Sequence, residues 1–174
     1  MLFNKKVDKM LHKKTVLLLT IFVLVGLTIL FKFTFDAVGD WVYQDKMKDA
    51  CEVEMRRIYS RFIRYAITNK LDLPQTLNWC DTLDLDEPLC PVDYFAHKEI
   101  QCSYAINKNI EKYSFKDLPD SIVLFFESDL GWNGVGDRYN VNYSNHDDVS
   151  AGIIFANGSI AHIKKETVEN LRWE

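Results

Sequence analysis

The sequence predicts an α+β protein in which a long N-terminal helix precedes a small antiparallel sheet. Three observations predict this class. Residues 15–35 form an apolar run, a helical spacing of apolar residues continues from there to residue 70, and two strand-like segments flank Asn157-Gly158 near the C-terminus. Helical and strand patterns therefore occupy different parts of the chain, which is typical of an α+β fold.

The N-terminal region reads as a basic leader, residues 1–14, followed by a membrane-spanning helix, residues 15–35. A helix needs about 20 mostly apolar residues to cross the hydrocarbon layer, and the single lysine in the run, Lys32, can extend toward the headgroups. A cleaved signal peptide is the alternative, although Ala37-Val38-Gly39 is a poor cleavage site. The leader lysines predict a cytoplasmic N-terminus by the positive-inside rule, so residues 36–174 are predicted to be exported.

Charge and length limit the exported part. The chain has 21 Lys+Arg and 25 Asp+Glu, of which residues 1–35 hold six and one. The remainder is therefore acidic, with 15 positive and 24 negative side chains. Such a surface argues against nucleic acid as a partner, and the length suits one domain with its own core.

The four cysteines, Cys51, Cys80, Cys90 and Cys102, all lie in the predicted exported part. An even number in an oxidising compartment favours disulfides, with at least one expected, but three pairings are open. A zinc site is the alternative, although the sequence contains no Cys-x-x-Cys pair and the spacings of 29, 10 and 12 residues match no common template.

A second helical pattern covers residues 36–70, with one apolar stripe opposite a face of mixed charge. The stripe consists of Met47, Cys51, Met55, Ile58, Tyr59, Phe62 and Ala66. The pattern predicts either one continuous helix with the preceding run or two helices that break near Gly39. Asn69 and Leu73-Pro74 indicate the helix end, because a residue before proline is disfavoured in helical geometry.

Residues 71–118 lack a clear period and are predicted to be irregular, with Leu77, Leu83 and Leu85 packing under the helix and Trp79 in the core. Residues 121–127 predict a buried strand. Residues 151–156 and 159–163 predict a hairpin, with Asn157-Gly158 in a type I′ turn. Residues 164–173 predict a short closing helix.

The order and spacing of several short motifs resemble those of pseudopilin-like proteins, the bacterial group that ends in a His-x9-Asp-Gly motif. The corresponding stretches are Ala50-Cys51, Met55–Ile58, Tyr65-Ala66, Leu71–Pro74, Leu89–Pro91, Ser103–Asn107, Leu118–Leu124, Glu127, His146 and Ile153–Gly158. Here His146, Asn157 and Gly158 take the motif positions, with asparagine for aspartate and ten intervening residues. The resemblance implies a pilin-like fold and a structural role in type II secretion or a pilus-like assembly.

The chain departs from this group in lacking a Gly-Phe-Thr-Leu-x-Glu prepilin signal after its leader. The resemblance therefore implies either a permanently anchored relative that no longer assembles or an atypical subunit.

A polar loop between the last strands contains candidate ligands for calcium, which prefers hard oxygen atoms. Some pseudopilins bind calcium near this end of the sheet. The candidates are Glu127, Asp129, Asp137, Asp147 and Asp148. A solvated loop is the alternative reading, since turns favour Asp and Asn for conformational reasons. No other cofactor is predicted.

Catalysis is not predicted. His146 beside Asp147 could be an oriented base, but no Gly-x-Ser-x-Gly, His-Glu-x-x-His or paired-carboxylate pattern accompanies it. The predicted function is that of a membrane-anchored interaction protein of the bacterial envelope, located in the inner membrane with a periplasmic domain. Its predicted partners are the membrane, other envelope or pseudopilin-like proteins and further copies of itself. An anchored binding or sensing domain that does not assemble is the alternative.

Overall fold

The structure, a computed structural model, describes residues 2–95, 99–146 and 149–174, without the side chains of residues 2–21, 37, 40, 41 and 44. The chain is an α+β protein with a five-stranded mixed sheet. The predicted leader and the first third of the predicted span, residues 15–21, lie outside the residues whose side chains are described. Helix α1 runs Leu2–Thr68, and Gly39 lies within these bounds.

The chain divides into two compact units, Met1–Tyr43 and Gln44–Glu174. In the first unit the large apolar side chains between Phe22 and Phe35 are exposed, Phe22 to 76%. Thr28 satisfies its hydroxyl on the same helix by donating to the Val25 carbonyl at 2.8 Å. Among the residues that the structure describes, no helix is both long and apolar enough to cross a membrane.

In the second unit, the C-terminal part of α1 buries five of the seven residues of the predicted apolar stripe, and the other two, Met47 and Tyr59, are half-buried. Cys51, Met55, Ile58, Phe62 and Ala66 are all buried, as expected from their spacing. The helix ends at Thr68, close to the predicted end. Lys70 and Leu71 take positive φ angles of 58° and 71°, and the Leu71 amide donates to the Ala66 carbonyl at 2.7 Å. This is the left-handed geometry that commonly closes a helix.

The sheet contains strands β1 (Tyr104–Asn107), β2 (Val123–Glu127), β3 (Val135–Gly136), β4 (Ser150–Phe155) and β5 (Ile160–Lys164). Their order is β3-β1-β2-β4-β5. The β1–β2, β2–β4 and β4–β5 pairs are antiparallel. The β1–β3 pair is parallel, so the sheet is mixed, whereas the sequence predicted an antiparallel one.

Strand alternation divides the core between the two faces of the sheet. Ile106, Phe125 and Ile154 pack with α1 and Trp79, whereas Ala105, Phe126 and Ile153 pack with Val141, Val168 and Trp173 on the other face. The register of β2 against β4 shifts between Val123 and Phe125. This irregularity lets both Leu124 and Phe125 join the α1-side cluster.

The segment predicted to be irregular contains more structure than expected. It holds α2 (Trp79–Thr82), α3 (Pro91–Phe95), two 3₁₀ helices (Thr76–Asn78 and Lys108–Lys112) and strand β1. Trp79, Leu83 and Leu85 are buried as predicted, but Leu77 is 80% exposed, so its predicted packing under the helix is wrong. The predicted closing helix is a 3₁₀ helix, Lys165–Asn170.

The β4–β5 hairpin turns at Asn157-Gly158 as predicted, but the turn is not type I′. Of these two residues only Gly158 has a positive φ, 83°. The Gly158 amide donates to the Phe155 carbonyl at 2.9 Å, and the Phe155 amide donates to the Ser159 carbonyl at 2.9 Å. These bonds indicate a type I turn followed by a left-handed glycine, the next most common hairpin solution.

Candidate functional site

Four side chains with metal-ligating or acid–base chemistry meet in the core between α1 and the sheet. They are Cys51 of α1, Cys90 immediately before α3, Glu127 at the end of β2 and His146 in the loop before β4. All four are buried, and one potential ligand atom from each lies within 4.8 Å of the others. We name this group the Cys-Glu-His cluster.

Strand geometry brings Glu127 to the cluster. Glu127 follows Phe126, which faces away from α1, so alternation turns its carboxylate toward the helix. Gly152 on the neighbouring strand leaves room there, since a Cβ at this position would lie 3.4 Å from Glu127 Cδ and 2.6 Å from Met55 Cε. The Gly152 amide donates to Glu127 Oε2 at 2.6 Å.

Cys90 and His146 come from irregular segments that hydrogen bonds hold in position. The Cys90 amide donates to Ser103 Oγ at 2.8 Å. Asn145, which precedes His146, donates from Nδ2 to Asp93 Oδ2 at 2.8 Å. This last bond joins α3 to the loop before β4, and so brings the two segments that supply Cys90 and His146 together.

Glu127 Oε1 is the centre of the polar contacts. The Cys51 thiol donates to it at 2.9 Å, and His146 Nε2 lies 2.9 Å from the same oxygen. Tyr104 OH lies 3.1 Å from Cys51 Sγ. The other ring nitrogen, His146 Nδ1, is buried and has no hydrogen-bond partner among the residues that the structure describes. The ring of His162 packs against His146 edge-on, with centroids 5.0 Å apart.

These contacts shift the pKa values of the four cluster residues in different directions. The interaction between the two thiols lowers the pKa of Cys90 to about 7, whereas the same interaction and burial raise the pKa of Cys51. Burial alone would lower the pKa of His146, but the nearby Cys90 thiol and the Glu127 carboxylate outweigh it and raise the pKa to about 10. Burial opposes ionisation of Glu127, yet the contacts with His146 and Cys51 hold its pKa below the usual range.

The arrangement supports an imidazolium–carboxylate ion pair, a close pair of thiols or a bound divalent metal. A catalytic thiol beside an imidazole would also need access for a substrate. The side chains of Glu127 and His146 are completely enclosed, and Cys90 is buried. Within the described residues the group is therefore closed to solvent.

The predicted calcium ligands do not form one site among the described residues. Glu127 belongs to the Cys-Glu-His cluster, and Asp129 is exposed. Asp137 pairs with Lys108 at 2.5 Å and accepts from the Tyr139 amide at 3.0 Å. Asp147 and Asp148 lie outside the described residues. The two thiols of the cluster also suit calcium poorly, because calcium takes six to eight oxygen ligands.

The four disulfide candidates are all buried and carry free thiols in the structure. Of the three pairings open from sequence, the fold brings one combination together. Cys80 Sγ lies 4.0 Å from Cys102 Sγ, and Cys51 lies beside Cys90 in the Cys-Glu-His cluster. The expected disulfide therefore stays a prediction, and the fold now favours Cys80–Cys102 and Cys51–Cys90 as the pairs.

Sequence reasoning named all four cluster residues but gave them separate roles. Cys51 and Cys90 were disulfide candidates, Glu127 a calcium ligand and His146 a motif position. Sequence spacing gave no signal for the cluster, because its members come from four segments between 19 and 39 residues apart. Comparisons of this chain with protein-family models, with curated proteins and with solved structures gave no match.

Proposed function

We propose that this protein is a membrane-anchored, pilin-like structural or interaction protein of the bacterial envelope. The observation that carries the proposal is the apolar surface of α1 between Phe22 and Phe35. Its large apolar side chains are at least half exposed, and an apolar patch of that kind calls for a lipid or protein environment. The sequence extends the apolar run back to Thr15 and so supplies the length of a membrane span.

The second unit supports an interaction role. The C-terminal part of α1 packs its apolar stripe on the sheet and leaves a charged face with Glu52, Arg56 and Lys46 on the outside. A helix packed on a small sheet is the arrangement that the resemblance to pseudopilin-like proteins implies. Contacts with other anchored subunits would then use surfaces of the second unit, while α1 holds the protein at the inner membrane with its N-terminus in the cytoplasm.

Membrane anchoring is tested by expressing the full-length chain in bacteria and extracting the membranes with alkaline carbonate. The wild type is expected to stay in the membrane pellet. The double variant Leu24→Lys, Leu27→Lys introduces two charges into the apolar run and should move the protein to the soluble fraction. Val53→Lys is the control, because Val53 is 69% exposed on the same helix but outside the run. A soluble wild type would overturn the proposal.

Self-association is tested separately by cross-linking in native membranes. Specific oligomers would support an assembling subunit. A protein that stays monomeric in mild detergent and forms no cross-links would instead favour the second candidate, an anchored binding or sensing domain.

One observation favours this second candidate. A groove of about 510 Å³ opens beside α3, and the exposed rings of Tyr94 and Phe95 line it together with Asp86 and Glu87. Aromatic rings with nearby carboxylates would suit a cationic ligand. The assembling and sensing roles share the anchor and differ only in what the second unit binds.

A further inference from the structure

We propose that Cys51, Cys90, Glu127 and His146 form a structural site for a zinc-class divalent ion. The proposal goes beyond the proposed function and does not rest on it. It concerns only the second unit, and it rests on the donor set, the spacing, the burial and the surrounding hydrogen bonds of the Cys-Glu-His cluster.

The donor set selects the ion. Thiolate sulfur, imidazole nitrogen and carboxylate oxygen are the three ligand types that zinc takes in proteins. Two sulfurs exclude calcium and magnesium, which require oxygen ligands. Two sulfurs with one nitrogen and one oxygen form a four-ligand set without a vacant position, which is typical of a structural site and not of a catalytic one.

The spacing is compatible with one ion. Tetrahedral zinc with bonds of about 2.0–2.3 Å separates its ligand atoms by about 3.3–3.8 Å. The four candidate atoms already lie within 4.8 Å of one another, and Glu127 Oε1 lies 2.9 Å from both Cys51 Sγ and His146 Nε2. Movements of the order of an ångström would complete the tetrahedron, and the hydrogen bonds that now join the ligands would be replaced by bonds to the ion.

Burial makes a cation favourable here. The carboxylate of Glu127 and the thiols of Cys51 and Cys90 are buried together, and ionised groups are costly in an apolar interior unless they are paired or bind a metal. Glu127 forms an ion pair with His146. His146 is itself one of the four proposed ligands. A divalent ion would offset two of the three negative charges that the carboxylate and both thiolates carry, with release of the two thiol protons and of the proton on His146 Nε2.

Hydrogen bonds around the cluster orient the ligands as in established metal sites, where outer partners hold the inner ones. The Gly152 amide holds Glu127 Oε2 at 2.6 Å and leaves Oε1 toward the cluster. The Tyr104 hydroxyl, 3.1 Å from Cys51 Sγ, would donate to the thiolate.

Such an ion would connect four segments that are distant in sequence: α1, the segment before α3, the end of β2 and the loop before β4. Cys90 and His146 both lie in segments outside the strands of the sheet. A metal bond to each would fix them to the helix and the sheet. This is the role of structural zinc in small domains, where metal binding and folding are coupled.

The test uses the full-length protein in mild detergent, reduced and freed of metal, with cobalt(II) as the probe. Tetrahedral binding to thiolates is expected to give a near-ultraviolet charge-transfer band and visible ligand-field bands, which zinc abolishes by displacement. Cys51→Ser and Cys90→Ser should each weaken cobalt binding more than about 100-fold, since loss of an outer partner alone costs about 10–100-fold. Tyr104→Phe tests that outer partner and should weaken binding about tenfold.

The matched control is the double variant Cys80→Ser, Cys102→Ser, which removes the other buried thiol pair and should leave the cobalt spectrum unchanged. If Cys51→Ser or Cys90→Ser fails to fold, the proposal is still tested by the thiolate bands of the wild type and by the weaker cobalt binding expected for Tyr104→Phe. Absence of thiolate bands in the wild type would overturn the proposal, as would equal loss in the control. Zinc-free native protein with a Cys51–Cys90 disulfide would also overturn it, because that bond would consume two ligands.

Discussion

Tyr59 of α1 lies directly over Gly158 in the β4–β5 turn. A Cβ built at Gly158 would be 2.6 Å from Tyr59 Cε1, and the Tyr59 hydroxyl donates to the Ala156 carbonyl at 3.0 Å. The turn amides are also tied to the segment before β2, since the Asn157 amide donates to the Asp120 carbonyl at 3.1 Å. The helix and the hairpin are therefore joined at a point where only glycine fits.

Gly158→Ala is expected to destabilise the protein through two effects that a control can separate. Alanine at a φ of 83° is strained by about 1–2 kcal/mol, and its methyl group would displace the Tyr59 ring at a further cost of about 1–3 kcal/mol. Gly131 has a φ of 77° but open space around its Cβ direction, so Gly131→Ala reports the strain alone. Urea unfolding measures the free energy of unfolding of both variants. An equal decrease for Gly158→Ala and Gly131→Ala would contradict a cost from the contact with Tyr59.

Trp173 is expected to anchor the C-terminal segment to the face of the sheet opposite α1. Its ring packs edge-on against Phe126 with centroids 5.2 Å apart, and its indole N–H donates to the Val168 carbonyl at 3.0 Å. Trp173→Ala should cost about 3–5 kcal/mol. Trp173→Phe should retain the ring contact and cost about 1–3 kcal/mol.

The control for Trp173 is Leu77→Ala, because Leu77 is 80% exposed and its loss should change the free energy of unfolding by less than about 0.5 kcal/mol. The free energy of unfolding of Trp173→Ala, Trp173→Phe and Leu77→Ala is measured by denaturant titration. The signal is far-ultraviolet circular dichroism, because two of the variants remove a tryptophan and so change the fluorescence. Similar values for Trp173→Ala and Leu77→Ala would show that the C-terminal segment does not contribute to the core.

Asp81 is expected to make stability depend on pH in the acidic range. Hydrogen bonds from Asn133 and Trp132 lower the pKa of this carboxylate in the folded protein. A carboxylate with a lowered folded pKa contributes stability above its unfolded pKa and loses it as pH falls through the folded pKa. The difference in unfolding midpoint between the wild type and Asp81→Asn should therefore be present at neutral pH and shrink under acid.

Asn133→Gly is the matched test for this pH dependence. Asn133 has a φ of 57°, which glycine accepts, and its Nδ2 donates to Asp81 Oδ2 at 2.6 Å. Removing that donor should reduce the acid-side loss of stability relative to the wild type. If the unfolding midpoints of the wild type and Asn133→Gly differ by the same amount from neutral pH to pH 3, the bond between Asn133 and Asp81 is not the cause of the pH dependence.

Cys80 and Cys102 are expected to form a disulfide when the protein meets oxidised glutathione. Their sulfurs lie 4.0 Å apart, and the bond would form by exchange, with two thiols oxidised and one glutathione disulfide reduced. Peptide mapping without reduction should find a Cys80–Cys102 peptide. A Cys80–Cys90 or Cys90–Cys102 peptide from folded protein would contradict the arrangement of the segment before β1.

Local patterns predicted the elements whose structure depends on neighbours in sequence. The buried stripe from Cys51 to Ala66, the buried strand that ends at Glu127 and the position of the hairpin turn follow from periodicity and from a glycine that accepts a positive φ. Strand β1, Tyr104–Asn107, was missed because it lies among prolines and cysteines. Its extended conformation depends on pairing with β2, which no local signal encodes.

The sequence by itself determined some elements of this protein, namely an apolar and then amphipathic N-terminal helix, a strand and a C-terminal hairpin, because helix and strand periods are properties of neighbouring residues. Only the tertiary structure decided which thiols meet and that Glu127 and His146 join Cys51 and Cys90. The physical reason is that these four side chains converge through strand register, including the shift between β2 and β4, and through loop hydrogen bonds. Sequence spacing carries no record of such distances.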